Sequence, residues 1–463
     1  MTNAAYDLVV LGSGPAGEKG AAQAAYFGKR VALVEREPAL GGAAANTGTL
    51  PSKTLRETAL TLSGFRARGL YGVDLSLRRQ ATVKDFLHRE RHVVDTERAR
   101  VGANLDRHRV DTFTGPAAFV NPHTVSVGGT TLLKADVVLI ATGSSPRRPA
   151  EFPADHPRVY DSDSILRLGD MPKRLIVVGA GVIGCEYACT FAALGVEVAL
   201  VDGRDVLLPF LDRELSTALK EAIVRLGVKL VVNEKVKACR ADAAGVALEL
   251  GSGLKLEADA VLVAAGRTSN TGELALAAAG LATGERGLIE VDGHYRTKVP
   301  HIYAAGDVIG FPALASTSME QARLAMVHAF DLKYKTDLAP VLPYGIYTIP
   351  EVAMAGETEE SLKAKGVDYV AGRARYDQNA RGIIIGDAHG FLKLLFRRDD
   401  LRLLGVHVIG EIASEISHIG LTALMTGAGA DLFIRTCYNY PTLGDLYKYA
   451  AYDAMGRRTS AKC

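Results

Sequence analysis

Two stretches of the chain repeat one order of apolar and polar positions. The apolar run Tyr6-Asp7-Leu8-Val9-Val10-Leu11 leads into the turn Gly12-Ser13-Gly14-Pro15-Ala16-Gly17 and the start of a helix; a second run from Arg30 to Val34 then ends at Glu35. The order returns at Arg174-Leu175-Ile176-Val177-Val178, then Gly179-Ala180-Gly181-Val182-Ile183-Gly184 opening a helix, then Val196 to Val201 ending at Asp202. Short, nearly continuous apolar runs bounded by glycine predict buried strands of parallel sheet. Each stretch therefore predicts a strand, a tight turn, a helix and a second strand. From about Leu342 the texture changes. Runs such as Gly390-Phe391-Leu392-Lys393-Leu394-Leu395-Phe396 and Leu403 to Ile409 predict further strands, followed by apolar helical stretches. No apolar run reaches membrane-spanning length.

The two turns carry a specific chemistry. The first glycine allows the tight turn, the second lets backbone N–H groups approach a pyrophosphate, and the third lets helix and strand pack closely. The helix N-terminus attracts the negative charge. In both copies an acid, Glu35 or Asp202, stands 23 positions after the first glycine, where a carboxylate accepts hydrogen bonds from a ribose 2′-hydroxyl. One G-x-G-x-x-G is weak evidence. Two copies, each with its strand, helix and acid, predict two bound dinucleotides. Arg204, two residues beyond Asp202, would either fork onto a 2′-phosphate or simply answer Asp202 or Asp205 at the surface.

Composition narrows the class. At 463 residues the chain predicts about three domains. It is 48% hydrophobic and 23% charged, ordinary for a soluble globular protein. A net charge of +2 with no dominant basic run argues against nucleic-acid or membrane partners. The five cysteines, Cys185, Cys189, Cys239, Cys437 and Cys463, form no paired framework and fit a reducing cytoplasm. No signal-peptide pattern precedes Tyr6. The expectation is a soluble, cytoplasmic enzyme. Cys185 and Cys189 read as core residues; Cys463 ends a disordered tail that follows Arg457 and is not read as an electron relay.

The segment Gly41-Gly42-Ala43-Ala44-Ala45-Asn46-Thr47-Gly48-Thr49-Leu50-Pro51-Ser52-Lys53 resembles the redox loop of the FAD-dependent pyridine nucleotide-disulfide reductases, in which two cysteines form a disulfide beside the flavin. Ala44 and Thr49 hold those positions, so thiol exchange has no path. Gly115-Pro116-Ala117, Ala141-Thr142-Gly143, Ile302-Tyr303-Ala304-Ala305-Gly306-Asp307 and Val261 to Gly266-Arg267 resemble the family's remaining nucleotide segments. The resemblance implies an α/β fold with two Rossmann-like domains and a C-terminal α+β dimerisation domain. FAD would bind residues 1–150 and 276–345, NAD(P) residues 151–275, and residues 346–463 would form a homodimer.

Within that family the pattern is most similar to the soluble, Si-specific pyridine nucleotide transhydrogenases, through Gly12 to Glu18, Gly48 to Lys53, Gly179 to Tyr187, Gly306 to Gly310, Gly345 to Glu351, Ile416 to Gly420 and Tyr438 to Thr442. Thr49 is part of that group's pattern; Ala44 departs from it, since the group keeps a lone cysteine there. The resemblance implies ping-pong hydride transfer between NADPH and NAD⁺ through the flavin. Lys53, Glu186, Thr49 and Tyr440 would serve the chemistry, with Tyr440 reaching the partner subunit's flavin. Gly12, Gly14, Gly17, Glu35, Gly42, Lys53, Ala117, Thr142, Gly143, Gly306 and Asp307 would hold FAD. Gly179, Gly181, Gly184, Asp202, Arg204 and Gly266 would hold NAD(H) or NADP(H). Plainer readings stand beside these: an exposed lysine at a helix start for Lys53, a first-turn acid for Glu186, a turn residue for Asp307 and an interface aromatic for Tyr440. Reduction of quinones or other small acceptors, or non-catalytic flavin binding, are the alternative functions.

Overall fold

The computed structural model of the protein describes residues 3–64, 82–335 and 337–460. In the first unit the strand Asn3–Leu11 lies between parallel neighbours Val31–Glu35 and Thr131–Ile140, with Asp111–Thr114 beyond Val31–Glu35. Ile302–Ala304, from far along the chain, adds a parallel strand against the end of Thr131–Ile140, pairing Ile302 with Val138. The antiparallel strands Thr124–Val127 and Ala117–Asn121 complete seven. The helices Pro15–Tyr26 and Ala315–Ala329 pack together on this sheet, so Val31–Glu35 is buried along its whole length. That is why it reads as a continuous apolar run without alternation.

The second unit repeats the plan. Five parallel strands run in the order Lys229–Val232, Glu197–Asp202, Arg174–Val178, Ala260–Val263 and Val159–Tyr160. The helix Val182–Ala193 covers one face and buries Cys185 and Cys189, as the core reading expects. Burial pushes the Cys189 thiol up to about 12, which makes it a packing group with no nucleophilic role.

The C-terminal unit is an antiparallel sheet ordered Tyr344–Ile346, Glu351–Gly356, Leu403–Gly410, Phe391–Arg397 and Tyr369–Arg375. The last of these strands alternates buried and half-buried positions because only one of its faces lies under the helix Leu446–Ser460. That helix corrects the expectation of a loose tail after Arg457. Arg457 donates to Asp453 one turn back at 2.9 Å and Arg458 to the Asp399 carbonyl at 2.5 Å, which carries the helix to Ser460. Cys463 lies outside the described residues.

Candidate active site

The two glycine turns match bond for bond. Gly12 N–H donates to the Val34 carbonyl and Ala141 N–H to that of Leu11, at 2.7 and 2.8 Å; Gly179 donates to Val201 and Ala264 to Val178, both at 2.8 Å. Gly12 and Gly179 each have φ of +101°, and a Cβ there would lie 2.5 Å from the Ala141 carbonyl oxygen or 2.4 Å from that of Ala264. At the third positions, Gly17 and Gly184, a Cβ would stand 1.8 Å from the carbonyl oxygen of the first glycine. These four glycines are demanded by the protein's own backbone.

The middle glycines are not. Gly14 and Gly181 have φ of −62° and −76°, open to any residue. A Cβ on Gly14 would come no nearer than 3.9 Å to protein, at the Gly42 Cα, and one on Gly181 would meet nothing within 4 Å. Each caps the start of a twelve-residue helix, so free N–H groups face that open space. Gly42, with φ of +56°, crosses against Gly14 so closely that a Cβ would lie 2.7 Å from the Gly14 Cα.

The acids take equivalent places. Glu35, buried, accepts from Ser13 N–H at 2.9 Å and the Ser13 hydroxyl at 2.6 Å on one oxygen, and from Glu37 N–H at 3.0 Å on the other. Ser13 Oγ also accepts from Gly41 N–H at 2.9 Å, tying the turn to the alanine loop. Asp202 accepts from Ala180 N–H at 2.6 Å and from Arg204 through N–H, Nε and Nη2 at 2.9, 2.9 and 3.1 Å. Burial raises the Asp202 carboxyl, but the Arg204 side chain and these N–H groups outweigh it and hold it below the ordinary carboxylate range.

Other expected residues cluster around the first turn. Thr142 carries a buried hydroxyl with no partner among the described residues. Gly143 has φ of +68° with open space above it. Asp307 follows Gly306, where φ is +84°, and accepts from Ser144 Oγ at 2.7 Å; that hydroxyl accepts from Arg267 Nε at 2.7 Å. Gly266, at φ +99°, sits beside Arg267 in the second unit's return connection. Ala117 lies at the start of the strand Ala117–Asn121.

Between the turns stands a charged pair. The helix Thr49–Leu62, capped by Gly48, places Thr49 in solvent and projects Lys53 toward the second unit. Lys53 Nζ donates to Glu186 Oε2 at 2.6 Å, and the other Glu186 oxygen accepts from Tyr347 N–H at 2.9 Å. The Tyr347 ring lies 5.2 Å from the Lys53 ammonium. One turn along, buried Arg56 donates to the Thr348 carbonyl at 2.9 Å and pairs with Glu351 at 3.2 Å, fastening the helix to the C-terminal unit. Glu186 is buried, so neither it nor Lys53 follows its plainer surface reading. Tyr440 stays apart from this group, 78% exposed.

The loop itself holds no thiol. Ala43 is exposed and Ala44 half-buried. Asn46 keeps the loop's shape, donating to the Leu40 and Gly42 carbonyls at 3.0 and 2.8 Å and accepting from Arg98 Nε at 2.6 Å.

Sequence reasoning missed Ser13, Ser144, Tyr347, Arg56 and a buried group at the edge of the second unit. There Lys393 meets Asp212 at 2.8 Å, Glu214 at 3.0 Å and Glu359 at 2.5 Å, while Arg373 pairs with Glu214 at 2.7 Å. Ser13 and Tyr347 lie inside recognisable motifs and had a signal; Lys393, in the middle of an apolar run, had none.

Comparison with known proteins agrees with this geometry. The family described as pyridine nucleotide-disulphide oxidoreductase matches residues 6–326, and that family's dimerisation domain matches residues 342–451. A soluble pyridine nucleotide transhydrogenase of Mycobacterium bovis is 46% identical, covering 98% of this chain and 97% of its own; that of Ectopseudomonas mendocina is 44% identical over 98% of both. Among solved structures, LpdA from Mycobacterium tuberculosis is similar with a TM-score of 0.89 and 29% identity over 98% of this chain and 99% of its own. The HOCl-induced flavoprotein disulfide reductase RclA of Escherichia coli has a TM-score of 0.86 and 27% identity over 96% and 99%. The chain belongs to the pyridine nucleotide-disulphide oxidoreductase family.

Proposed function

We propose that this chain is a soluble, FAD-dependent pyridine nucleotide transhydrogenase that moves a hydride between NADPH and NAD⁺. The observation that carries the reading is the pair of middle glycines. Gly14 and Gly181 are required neither by backbone conformation nor by protein contact, so what needs the missing side chain is a group from outside the chain. The spacing from each turn to Glu35 or Asp202 suits a dinucleotide. The buried, unpartnered Thr142 hydroxyl and the Ser144-anchored Asp307 suit FAD at the first site, within residues 1–150 and 276–345. Residues 151–275 take the nicotinamide coenzyme.

When bound, FAD supplies an isoalloxazine that accepts a hydride from one nicotinamide and gives it to another. The chain's part is orientation and charge. Lys53, held by Glu186 and covered by Tyr347, presents a fixed positive charge between the two dinucleotide sites. Alanine at position 44 and threonine at 49 leave no sulfur to divert electrons. Both coenzymes then use one site in turn, which makes the kinetics ping-pong. Residues 346–463 support a homodimer through a C-terminal surface that exposes Ile383, Ile384, Tyr449 and Tyr452; Tyr440 faces the partner subunit's flavin. No helix among the described residues is long and apolar enough to cross a membrane.

The test mixes the purified, FAD-loaded protein anaerobically with NADPH and thio-NAD⁺, and in parallel with NADPH and a soluble quinone. Parallel-line double-reciprocal kinetics on thio-NAD⁺ are expected. Turnover on the quinone alone sinks the transhydrogenase reading in favour of a quinone reductase.

A further inference from the structure

The carboxylate that should read the coenzyme ribose has little capacity left. An ionised aspartate offers about four acceptor sites. Asp202 already accepts four hydrogen bonds, from Ala180 N–H and from three groups of Arg204. Arg204 spends its Nε–H and one Nη2–H on Asp202, which leaves only its outer Nη1 edge for any other anion.

A second cation stands at the same rim. Glu234 N–H donates to the Asp202 carbonyl at 3.0 Å and Asn233 N–H to the Arg204 carbonyl at 3.4 Å, so residues 233–235 are zipped to 202–204. This register lays the Lys235 side chain across Gly203. A Cβ on Gly203 would lie 3.4 Å from Lys235 Cγ and 3.7 Å from its Cε. Lys235 is exposed, and its ammonium has no hydrogen-bond or ion-pair partner among the described residues. It is a free positive charge over the one residue that separates Asp202 from Arg204.

We infer that Lys235 is the residue that takes the 2′-phosphate of NADP(H), while Arg204 stays on Asp202 and cancels the charge that would repel that phosphate. With NAD(H), Arg204 turns outward and frees two acceptor sites on Asp202 for the ribose hydroxyl. One site then serves both coenzymes through a rotation of Arg204, with Lys235 as the element that discriminates. The inference rests on the reading of the second glycine turn as the nicotinamide-coenzyme site.

The experiment is calorimetric titration of the FAD-loaded protein with 2′,5′-ADP and with 5′-AMP, which differ only in the 2′-phosphate, for the wild type, Lys235→Met and Lys235→Arg. Removal of one charge-assisted hydrogen bond should weaken 2′,5′-ADP in Lys235→Met by about tenfold and 5′-AMP by less than about twofold, with Lys235→Arg restoring most of the affinity. The ratio of kcat/KM for NADPH to that for NADH should fall by a similar factor of about ten. Because Lys235 is exposed and unpaired, the substitution leaves the core intact. Equal 2′,5′-ADP affinity in wild type and Lys235→Met overturns the assignment of Lys235 and leaves the transhydrogenase reading standing. Failure of both fragments to bind the wild type overturns the coenzyme site itself.

Discussion

Gly181→Ala separates what the fold requires of a glycine from what a ligand requires. The substitution adds one methyl group at φ −76°, with no protein atom within 4 Å of it. Loss of the glycine's freedom in the unfolded chain favours alanine by about 0.4–1 kcal/mol, and alanine's weaker capping opposes it by a similar amount. Stability should therefore change by less than about 1 kcal/mol. Coenzyme binding should suffer far more. The methyl group would fill the space through which, under the proposed function, a pyrophosphate reaches the N–H groups at the start of Val182–Ala193. A hydrogen bond to a charged group is worth about 1.5–3 kcal/mol, and its removal predicts a KM for both NADH and NADPH raised by about 10- to 150-fold. Gly184→Ala is the contrasting variant, because its Cβ would stand 1.8 Å from the Gly179 carbonyl oxygen and the backbone itself must move. That should cost about 3 kcal/mol or more and lower yield as well as activity. Urea denaturation gives the stability arm, and stopped-flow reduction of the bound FAD gives the coenzyme arm. Unchanged KM values for a stable Gly181→Ala protein would refute the argument, since the space over Gly181 would then hold no phosphate.

Two further outcomes follow from the charged groups. Glu186→Gln removes the carboxylate held 2.6 Å from Lys53 while keeping an acceptor for Tyr347 N–H, so FAD should stay bound but its reduction by NADPH should slow by about tenfold or more; an unchanged stopped-flow rate would remove the pair from the mechanism. Lys393→Met leaves Asp212, Glu214 and Glu359 without the cation they surround and should destabilise the protein by about 3–5 kcal/mol at neutral pH in urea titration. In the wild type, burial is outweighed and all three carboxyls lie below their ordinary range, so their stabilisation is present above the unfolded carboxylate pKa and fades as pH falls through the folded values. Without Lys393, Asp212 and Glu359 lose a cation that holds them down while Arg373 still pairs with Glu214, so the loss of stability as pH falls should be shallower than in the wild type; an acid limb parallel to the wild type's would contradict the ion-cluster account.

What the sequence made legible is what local conformation and short spacing control. Gly12, Gly17, Gly179 and Gly184 announce themselves because a strand must turn into a helix within a few residues, and Glu35 and Asp202 follow at a spacing set by one helix. Lys53 and Glu186 came from motif resemblance, and the structure brings them together from 133 positions apart. The unread groups are those whose partners are remote. Lys393 sits at the centre of the run Gly390 to Phe396 and reads as an ordinary strand residue until Asp212 and Glu214 of the second unit and Glu359 of its own unit surround it. Arg56 and Glu351 likewise meet only in the folded chain. Arg204 was readable as a cation near the coenzyme, but its bidentate hold on Asp202 depends on side-chain geometry that spacing does not encode. The helix through Ser460 escaped notice because two arginine hydrogen bonds, not apolar periodicity, extend it.

Asn46 gives the alanine loop a property that a disulfide could not. Its amide bridges the loop to Leu40, Gly42 and Arg98 through bonds that no electron transfer makes or breaks. The alanine loop therefore keeps one covalent structure whatever the oxidation state of a bound flavin. With FAD bound, such a loop would add little reorganisation to either half of a hydride exchange between two nicotinamides. A chain built this way is suited to exchange between two carriers of nearly equal potential, where a thiol relay would only interpose a bond to open and close.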